Sequence, residues 1–458
     1  MTAIDVVRGV QTPRTMRARL AYALMTGLSL LACIVVACPD AEAVPSFTRQ
    51  TGLKCSVCHS NPPELTAFGR KFKLEGYTLT DPKADAIGDK DVTIRRDFPL
   101  SVMLLASHTA TQTAVPGAQG VNAGFPQALS LFLAGAIAPH LGGMIQATYD
   151  HQSDHVSLDN TDIRFAAHTT LGSKDLLFGL TLNNSPTFED VWNSTPSWGY
   201  PWLSPDSVPS PNAAPLITGA LAQDVAGLGA YTLWNNHLYG GMTFYRSEHA
   251  GGAQPLTGAD FALNIQGVAP YWRLAWQHTI GLNSLEIGTY GIHVSSVPGG
   301  VIGPRDTYSD SAIDLQYERP FGVNLLTIHS TFIHERSTLN GTFAAGGAAA
   351  SAQHLNTLRA DMTYHLRGRY TLTLAGSSTT GSADALLFPP APVTGNALGS
   401  PNSGHLMGQA GYWPQQNVEL SVAYTAYVRF NGAGRNYDGS GRNASANNSL
   451  YFAFWLNF

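Results

Sequence analysis

From residue 97 to the C-terminus, apolar and polar positions alternate with a period of two. In the last segment Leu450, Phe452, Phe454, Leu456 and Phe458 share one face, and Tyr451, Ala453, Trp455 and Asn457 share the other. The segment before it sets Leu420, Val422, Tyr424, Ala426, Val428 and Phe430 against Glu419, Ser421, Ala423, Thr425, Tyr427 and Arg429. Leu358 to Leu366 repeats the pattern with Arg359, Asp361, Thr363 and His365 on its polar side. This alternation predicts strands with one face in apolar surroundings and one in water.

A soluble sandwich and a membrane barrel both alternate in this way, and the connections separate them. Short turns are expected at 139–142, 172–174, 234–236, 281–283, 320–322, 367–369 and 414–417. Between and around them lie long polar segments near 110–127, 151–160, 184–222, 247–258, 297–308, 336–354, 380–404 and 431–447. Short turns on one side and long loops on the other mark an outer-membrane barrel. Fifteen connections require sixteen strands, and the stretch leaves ample chain for spanning strands of ~9–11 residues. The fold class is therefore all-β: a transmembrane antiparallel barrel of about sixteen strands over 98–458, with both ends periplasmic and the long loops outside.

Residues 1–97 follow another pattern. Arg14, Arg17 and Arg19 precede an apolar run from Leu20 to Cys38 and a small-x-small site at Ala41-Glu42-Ala43, which predicts an export signal over 1–43. A retained anchor and lipidation at Cys38 are the alternatives. Residues 44–97 form a small helical module, with Pro62-Pro63 opening a helix that carries Glu64, Leu65, Phe68 and Phe72 and stops at Gly76.

Composition narrows the class. Only 12% of the 458 residues are charged and the formal net charge is −5, which argues against a nucleic-acid partner. A mean hydropathy of −0.04 excludes a helical membrane bundle but not a barrel, whose alternating strands average to neutrality.

Without the signal the chain keeps two cysteines, in Cys55-Ser56-Val57-Cys58-His59. C-x-x-C-H is the attachment pattern of a c-type haem: two thiols add to the vinyl groups and the adjacent imidazole becomes the proximal iron ligand. Structural zinc needs four ligands, and the next histidine is His108. A thioredoxin-like pair needs a strand–helix context that is lacking, and a disulfide across two residues constrains little. One covalent haem on Cys55 and Cys58, with His59 as axial ligand, is the expectation. Arg70, Lys71 and Lys73 either pair with its propionates or form a solvated face.

No methionine and no second histidine occur between Val44 and Asp97, so the usual distal ligand is missing locally. The sixth position is empty, is taken by a weaker group such as Tyr77 or a lysine, or is supplied by the barrel. With Leu100, Val102, Leu104 and Ala106 facing lipid, Met103 faces the lumen and is the candidate, with Met144 behind it. So short a module also needs a larger domain to dock against. One external loop, from Asp150 to Asp159, gathers carboxylates and imidazoles suited to a divalent ion, and Asp150, His151, Asp154 and His155 are candidates for a ferrous iron approach. An ordinary hydrated loop has the same composition. The proline- and aromatic-rich stretch from Asn193 to Pro215 is expected to fold over the mouth or into the lumen.

The chain resembles the fused monohaem cytochrome-porins of iron-oxidising bacteria. The resemblance is carried by Pro45 to Gly52 ahead of the haem motif, Pro63-Glu64-Leu65, Phe68-Gly69-Arg70, Asp159 to Arg164, Leu180 to Asn184, Trp192 to Pro196 and the aromatic last strand. It implies an outer-membrane c-type cytochrome that takes electrons from extracellular ferrous iron and passes them through its haem to a periplasmic cytochrome or other carrier. The enzyme class would be a ferrous iron oxidase acting by outer-sphere transfer. A porin whose haem segment is a plug or redox gate, and an exported cytochrome on a soluble β-domain, are the other readings.

Overall fold

The computed structural model describes residues 45–79, 99–195, 204–219, 221–247, 264–298 and 302–458, and the backbone alone of 86–89 and 92–95. The expected signal, 1–43, and the middle of the proline-rich loop, 196–203, lie outside the described residues. Two short strands, β1 (Ala86–Asp89) and β2 (Val92–Arg95), pair as an antiparallel hairpin that the alternation pattern did not signal.

Sixteen strands follow. They are β3 (Leu100–Thr111), β4 (Val121–Ala138), β5 (Leu141–Asp150), β6 (His155–Leu171), β7 (Lys174–Asn183), β8 (Val225–Trp234), β9 (Leu238–Ser247) and β10 (Ala269–Ile280), then β11 (Asn283–Ser296), β12 (Asp306–Phe321), β13 (Asn324–Leu339), β14 (Ala352–Leu366), β15 (Tyr370–Gly381), β16 (Ser403–Gln415), β17 (Val418–Arg429) and β18 (Ser449–Asn457). Each pairs antiparallel with its sequence neighbours, and β18 returns to β3, closing the barrel. Every expected short turn falls between two strands, and glycines such as Gly172 (φ 66°) and Gly281 (φ 62°) supply the left-handed backbone that two-residue hairpins require.

The burial pattern is inside out. On β7 Phe178, Leu180 and Leu182 are exposed, while Leu177, Thr181 and Asn183 are buried. On β14 Leu358 and Met362 are exposed, and Asp361, Thr363 and His365 are buried. Apolar side chains on the outside and polar ones within are the arrangement a barrel takes in lipid.

The lumen is not bare. The segment after β7 turns inward, so that Glu189 lies 3.7 Å from Arg164 and Asp190 lies 3.5 Å from Arg273, all four side chains being buried. Arg273 also meets Glu286 at 3.3 Å and pairs with Asp314. Leu216 and Ile217 send backbone N–H groups to the carboxylates of Glu335 and Asp310, at 2.7 and 2.8 Å. The loop thus enters the lumen at both described ends.

Two expectations are corrected. The loop set at 151–160 is only four residues long, because β6 begins at His155 and the period-two pattern resumes with Val156 and Leu158 pointing outward. Phe430 does not continue the outer face of β17; the strand ends at Arg429, and Phe430 packs at 0% exposure against Tyr437, with ring centroids 4.7 Å apart.

Before the barrel come three helices: α1 (Ser46–Thr51), α2 (Cys55–Cys58) and α3 (Ala67–Leu74). They lie against inward-facing residues at the end with the short turns. Gln50 Nε2 donates to the Ala134 carbonyl (2.8 Å), Arg49 donates to the Leu100 carbonyl, and the Cys55 N–H donates to Gln416 Oε1 (3.1 Å). Tyr231 of β8 donates to the Leu74 carbonyl at 2.7 Å.

Candidate functional site

The helix expected to open at Pro62-Pro63 begins at Ala67 instead. Thr66 caps it, its hydroxyl accepting the Gly69 N–H at 3.1 Å, while the preceding residues fold back on the histidine, Leu65 bridging to His59 and the Ser60 N–H donating to the Glu64 carbonyl at 3.2 Å. Glu64 therefore stands outside the helix. Gly76 (φ 72°) does terminate it.

Helix α2 is one turn, so Cys55 and Cys58 project from the same side. Both thiols are free and partly exposed. Thr66 ties this turn to α3 by accepting nothing from it and donating twice, from its N–H to the Cys58 carbonyl (3.0 Å) and from its hydroxyl to the Val57 carbonyl (2.6 Å). A Cβ at Gly69 would stand 2.1 Å from the Cys58 carbonyl oxygen, so only glycine permits α3 to cross α2 this closely.

His59 leaves the turn in extended conformation, with its Nδ1 3.2 Å from the Glu64 carbonyl. A carbonyl can only accept, so the proton sits on Nδ1 and the lone pair on Nε2. Burial holds this imidazole below its ordinary pKa and so neutral. Burial, and then the neighbouring Cys55, push the Cys58 thiol up to about 11.

Beside these groups lies a cavity of about 220 Å³, against the roughly 10–15 Å³ one water needs. Cys55, Cys58, His59, Leu65 and Phe72 line it from the helical side, and Met103, Phe132, Met144 and Trp455 line it from β3, β4, β5 and β18. The lining is mainly apolar. Two free thiols one helical turn apart, an imidazole in the ligating tautomer and an apolar cavity are what a c-type haem requires, so the residues present fit that group.

Met103 and Met144 both reach this cavity, as expected for luminal positions on β3 and β5. Tyr77 lines it too, but its hydroxyl donates to Asp162 Oδ2 at 2.6 Å, and burial, then Asp162, raise its pKa well above the ordinary value. It is not a free phenolate. Of the three cations considered for propionates, Arg70 is buried against Glu318 and Lys73 donates to the Phe188 carbonyl at 2.7 Å. Only Lys71, with 59% of its side chain exposed, forms a solvated face.

The candidate iron-approach residues are placed apart from this site and are engaged locally. Asp150 accepts from the Ser153 N–H (2.8 Å) and hydroxyl (3.0 Å), and Asp154 accepts from Tyr149 (2.9 Å). His151 Nδ1 meets the Gln127 carbonyl at 2.9 Å and Asp206 at 3.4 Å, and His155 opens β6. Among the described residues the set of donors with metal-binding spacing is another one, Glu64, His329 and Asp361. The alternation pattern signalled Asp361 as luminal; nothing signalled that Glu64 would meet it.

No family model matches the chain, and no curated protein matches it. Solved structures to which it is similar include in-vitro folded OmpT of Vibrio cholerae, at 8% identity and TM-score 0.42, over 82% of this chain and 100% of that one. The outer membrane channel DcaP of Acinetobacter baumannii is 11% identical, with TM-score 0.44, over 78% and 96%. Salmonella typhi OmpF in complex with daunomycin is 12% identical, with TM-score 0.44, over 82% and 100%. The likeness is one of barrel architecture.

Proposed function

We propose that this chain is an outer-membrane c-type cytochrome in which one haem, held by thioether bonds to Cys55 and Cys58 and ligated by His59, passes electrons from an extracellular donor to a periplasmic carrier. The observation that carries this reading is the apolar cavity enclosed between the Cys55–His59 turn and the barrel wall, with the imidazole in the ligating tautomer. Bound there, the haem supplies one-electron exchange between its ferrous and ferric states.

The protein's own part is positional. Glu64 orients the imidazole of His59 through its carbonyl, Gly69 lets α3 brace the cysteine turn, and Phe132 and Trp455 exclude water. Met103 is the proposed distal ligand, with Met144 beside it on the same wall. The helical module would act as a plug, since it docks on the luminal face at the turn end and the segment after β7 narrows the rest.

Ferrous iron is the proposed donor. Each ion gives up one electron and remains outside as ferric iron, and each electron leaves toward a one-electron periplasmic carrier, so the insoluble product never forms in the periplasm. The test is to purify the protein from outer membranes, oxidise it, add ferrous iron anaerobically and follow the Soret and α bands. Prompt reduction supports the reading. A haem that stays oxidised under ferrous iron but responds to stronger reductants removes iron as the donor, and a chain without covalent haem removes the cytochrome reading altogether.

A further inference from the structure

We propose that Glu64, His329 and Asp361 bind one divalent first-row transition-metal cation at the junction between the helical module and the barrel wall. The site itself does not depend on the haem; only its identification with the electron donor would rest on the function proposed above.

His329 on β13 and Asp361 on β14 are directly opposed in the strand register, with Nδ1 and Oδ2 2.9 Å apart. Glu64 brings Oε1 to 3.5 Å from the same Nδ1, and one donor atom from each residue lies within 4.8 Å of the others. Bonds of ~2.0–2.2 Å to a tetrahedral ion set ligand atoms about 3.4 Å apart. Small side-chain shifts convert the present contacts into that geometry. One imidazole and two carboxylates suit manganese, iron, cobalt or zinc better than calcium or magnesium, and their two negative charges match a dication.

A second observation points to a missing ligand. Glu64 is 3% exposed, and while its Oε2 accepts from the Ser60 hydroxyl at 2.7 Å, its Oε1 has no hydrogen-bond partner. A buried carboxylate oxygen without a donor is costly, and a cation would satisfy it. The support around the imidazole is also present. Gln316 Nε2 lies 3.1 Å from His329 Nε2, and its buried Oε1 is unpartnered. When Nδ1 binds metal, Nε2 must carry the proton, and rotation of the Gln316 amide presents that oxygen to accept it, giving up the 3.0 Å bond from the amide Nε2 to Glu318, whose carboxylate keeps both Arg70 donors. A cavity of about 70 Å³ touching both His329 and Asp361 leaves room for a water as fourth ligand and gives a path of entry. Arg70 and Glu318 satisfy one another next to the cluster, so they neither compete for the ion nor neutralise the site.

The competing arrangement is a plain ion-paired triad. Equilibrium dialysis of the intact, chelator-washed protein against zinc, a redox-inert probe, separates the two, with metal counted by mass spectrometry against protein. One tightly held zinc per chain is expected. His329→Ala and Asp361→Asn should each lose it, Gln316→Met should weaken it about 10–100-fold as outer-sphere changes do, and His151→Ala should leave it intact. Heat-modifiable gel migration verifies that each barrel is folded, and the conservative Asp361→Asn and Glu64→Gln carry the test if His329→Ala does not fold. Wild-type uptake no greater than that of the Asp361→Asn protein, or equal loss in His151→Ala, overturns the proposal. Anaerobic ferrous reduction of the same variants adds a separate arm: zinc held by the wild type and lost in Asp361→Asn, with haem reduction unchanged in that variant, would leave the cation site standing and detach it from the donor.

Discussion

Of the buried ion pairs between the helical module and the barrel, Arg70–Glu318 is shorter than Lys73–Asp162 at 3.9 Å and Glu64–His329 at 3.5 Å, and its removal should be measurable by itself. Arg70 donates to both carboxylate oxygens of Glu318, at 2.6 and 3.1 Å, and to the Leu65 carbonyl at 2.9 Å. The side chains are 5% and 11% exposed, so screening by solvent is slight. Arg70→Met leaves Glu318 buried with the Gln316 amide as its remaining side-chain donor, at 3.0 Å. Breaking one partner of such a pair costs about 3–5 kcal/mol, which is roughly two to nearly four orders of magnitude in the docking equilibrium. The barrel, held by its own strand ladder, should remain closed. Native-state hydrogen exchange over Ala67–Leu74 and proteolysis within 45–79 report the undocking directly. The double variant Arg70→Met, Glu318→Met should recover most of the loss, because an apolar pair of similar volume removes both desolvation costs. A single-variant effect below about 1 kcal/mol, the range of exposed pairs, would refute this account. So would a double variant as damaging as the two singles added.

Further outcomes follow from the same geometry. Gly69→Ala forces a Cβ to 2.1 Å from the Cys58 carbonyl, so it should cost at least the ~1–3 kcal/mol of an overpacked contact and lower the yield of covalent haem on a haem-stained gel; a normal yield would show that α3 can move away freely. Burial depresses the Lys73 pKa to about 8, with Asp162 opposing the shift. Between pH 8 and about 10.5 the unfolded chain keeps a proton that the folded one has released, so module stability should rise with pH across that window, by at most about 3 kcal/mol. Lys73→Met should flatten that slope in exchange measured at pH 7.5, 9 and 10.5. If Met103 is the distal ligand, Met103→Ala should lower the haem reduction potential while Met144→Ala leaves it nearly unchanged; the reverse pattern would transfer ligation to Met144.

Much of the architecture was legible along the chain because a barrel strand sees only two environments. Side chains alternate between them at every residue, so the period of two, the seven turns and the count of sixteen strands survive without knowledge of any partner. The cysteine–histidine spacing is equally local, since a single turn sets Cys55, Cys58 and His59 in place. What the alternation could mark was that Met103 and Asp361 face inward; what they face was beyond it. That depended on the module docking. Arg70 and Lys73, ordinary surface cations by local pattern, became buried partners of Glu318 and Asp162, and Glu64 fell outside its expected helix, where residues 60–65 fold back on His59 and the helix starts at the Thr66 cap. The residues from Asp150 to Asp159 grouped in sequence but satisfied their charges with neighbours, while Glu64 converges with His329 and Asp361, a directly opposed pair hundreds of positions further on. The sequence by itself determined the barrel and the Cys55–His59 turn, the one written in short-range periodicity and the other in local spacing. The tertiary structure alone decided the cavity, its methionines and the carboxylate–imidazole cluster, because these depend on which luminal face the short helical segment presses against.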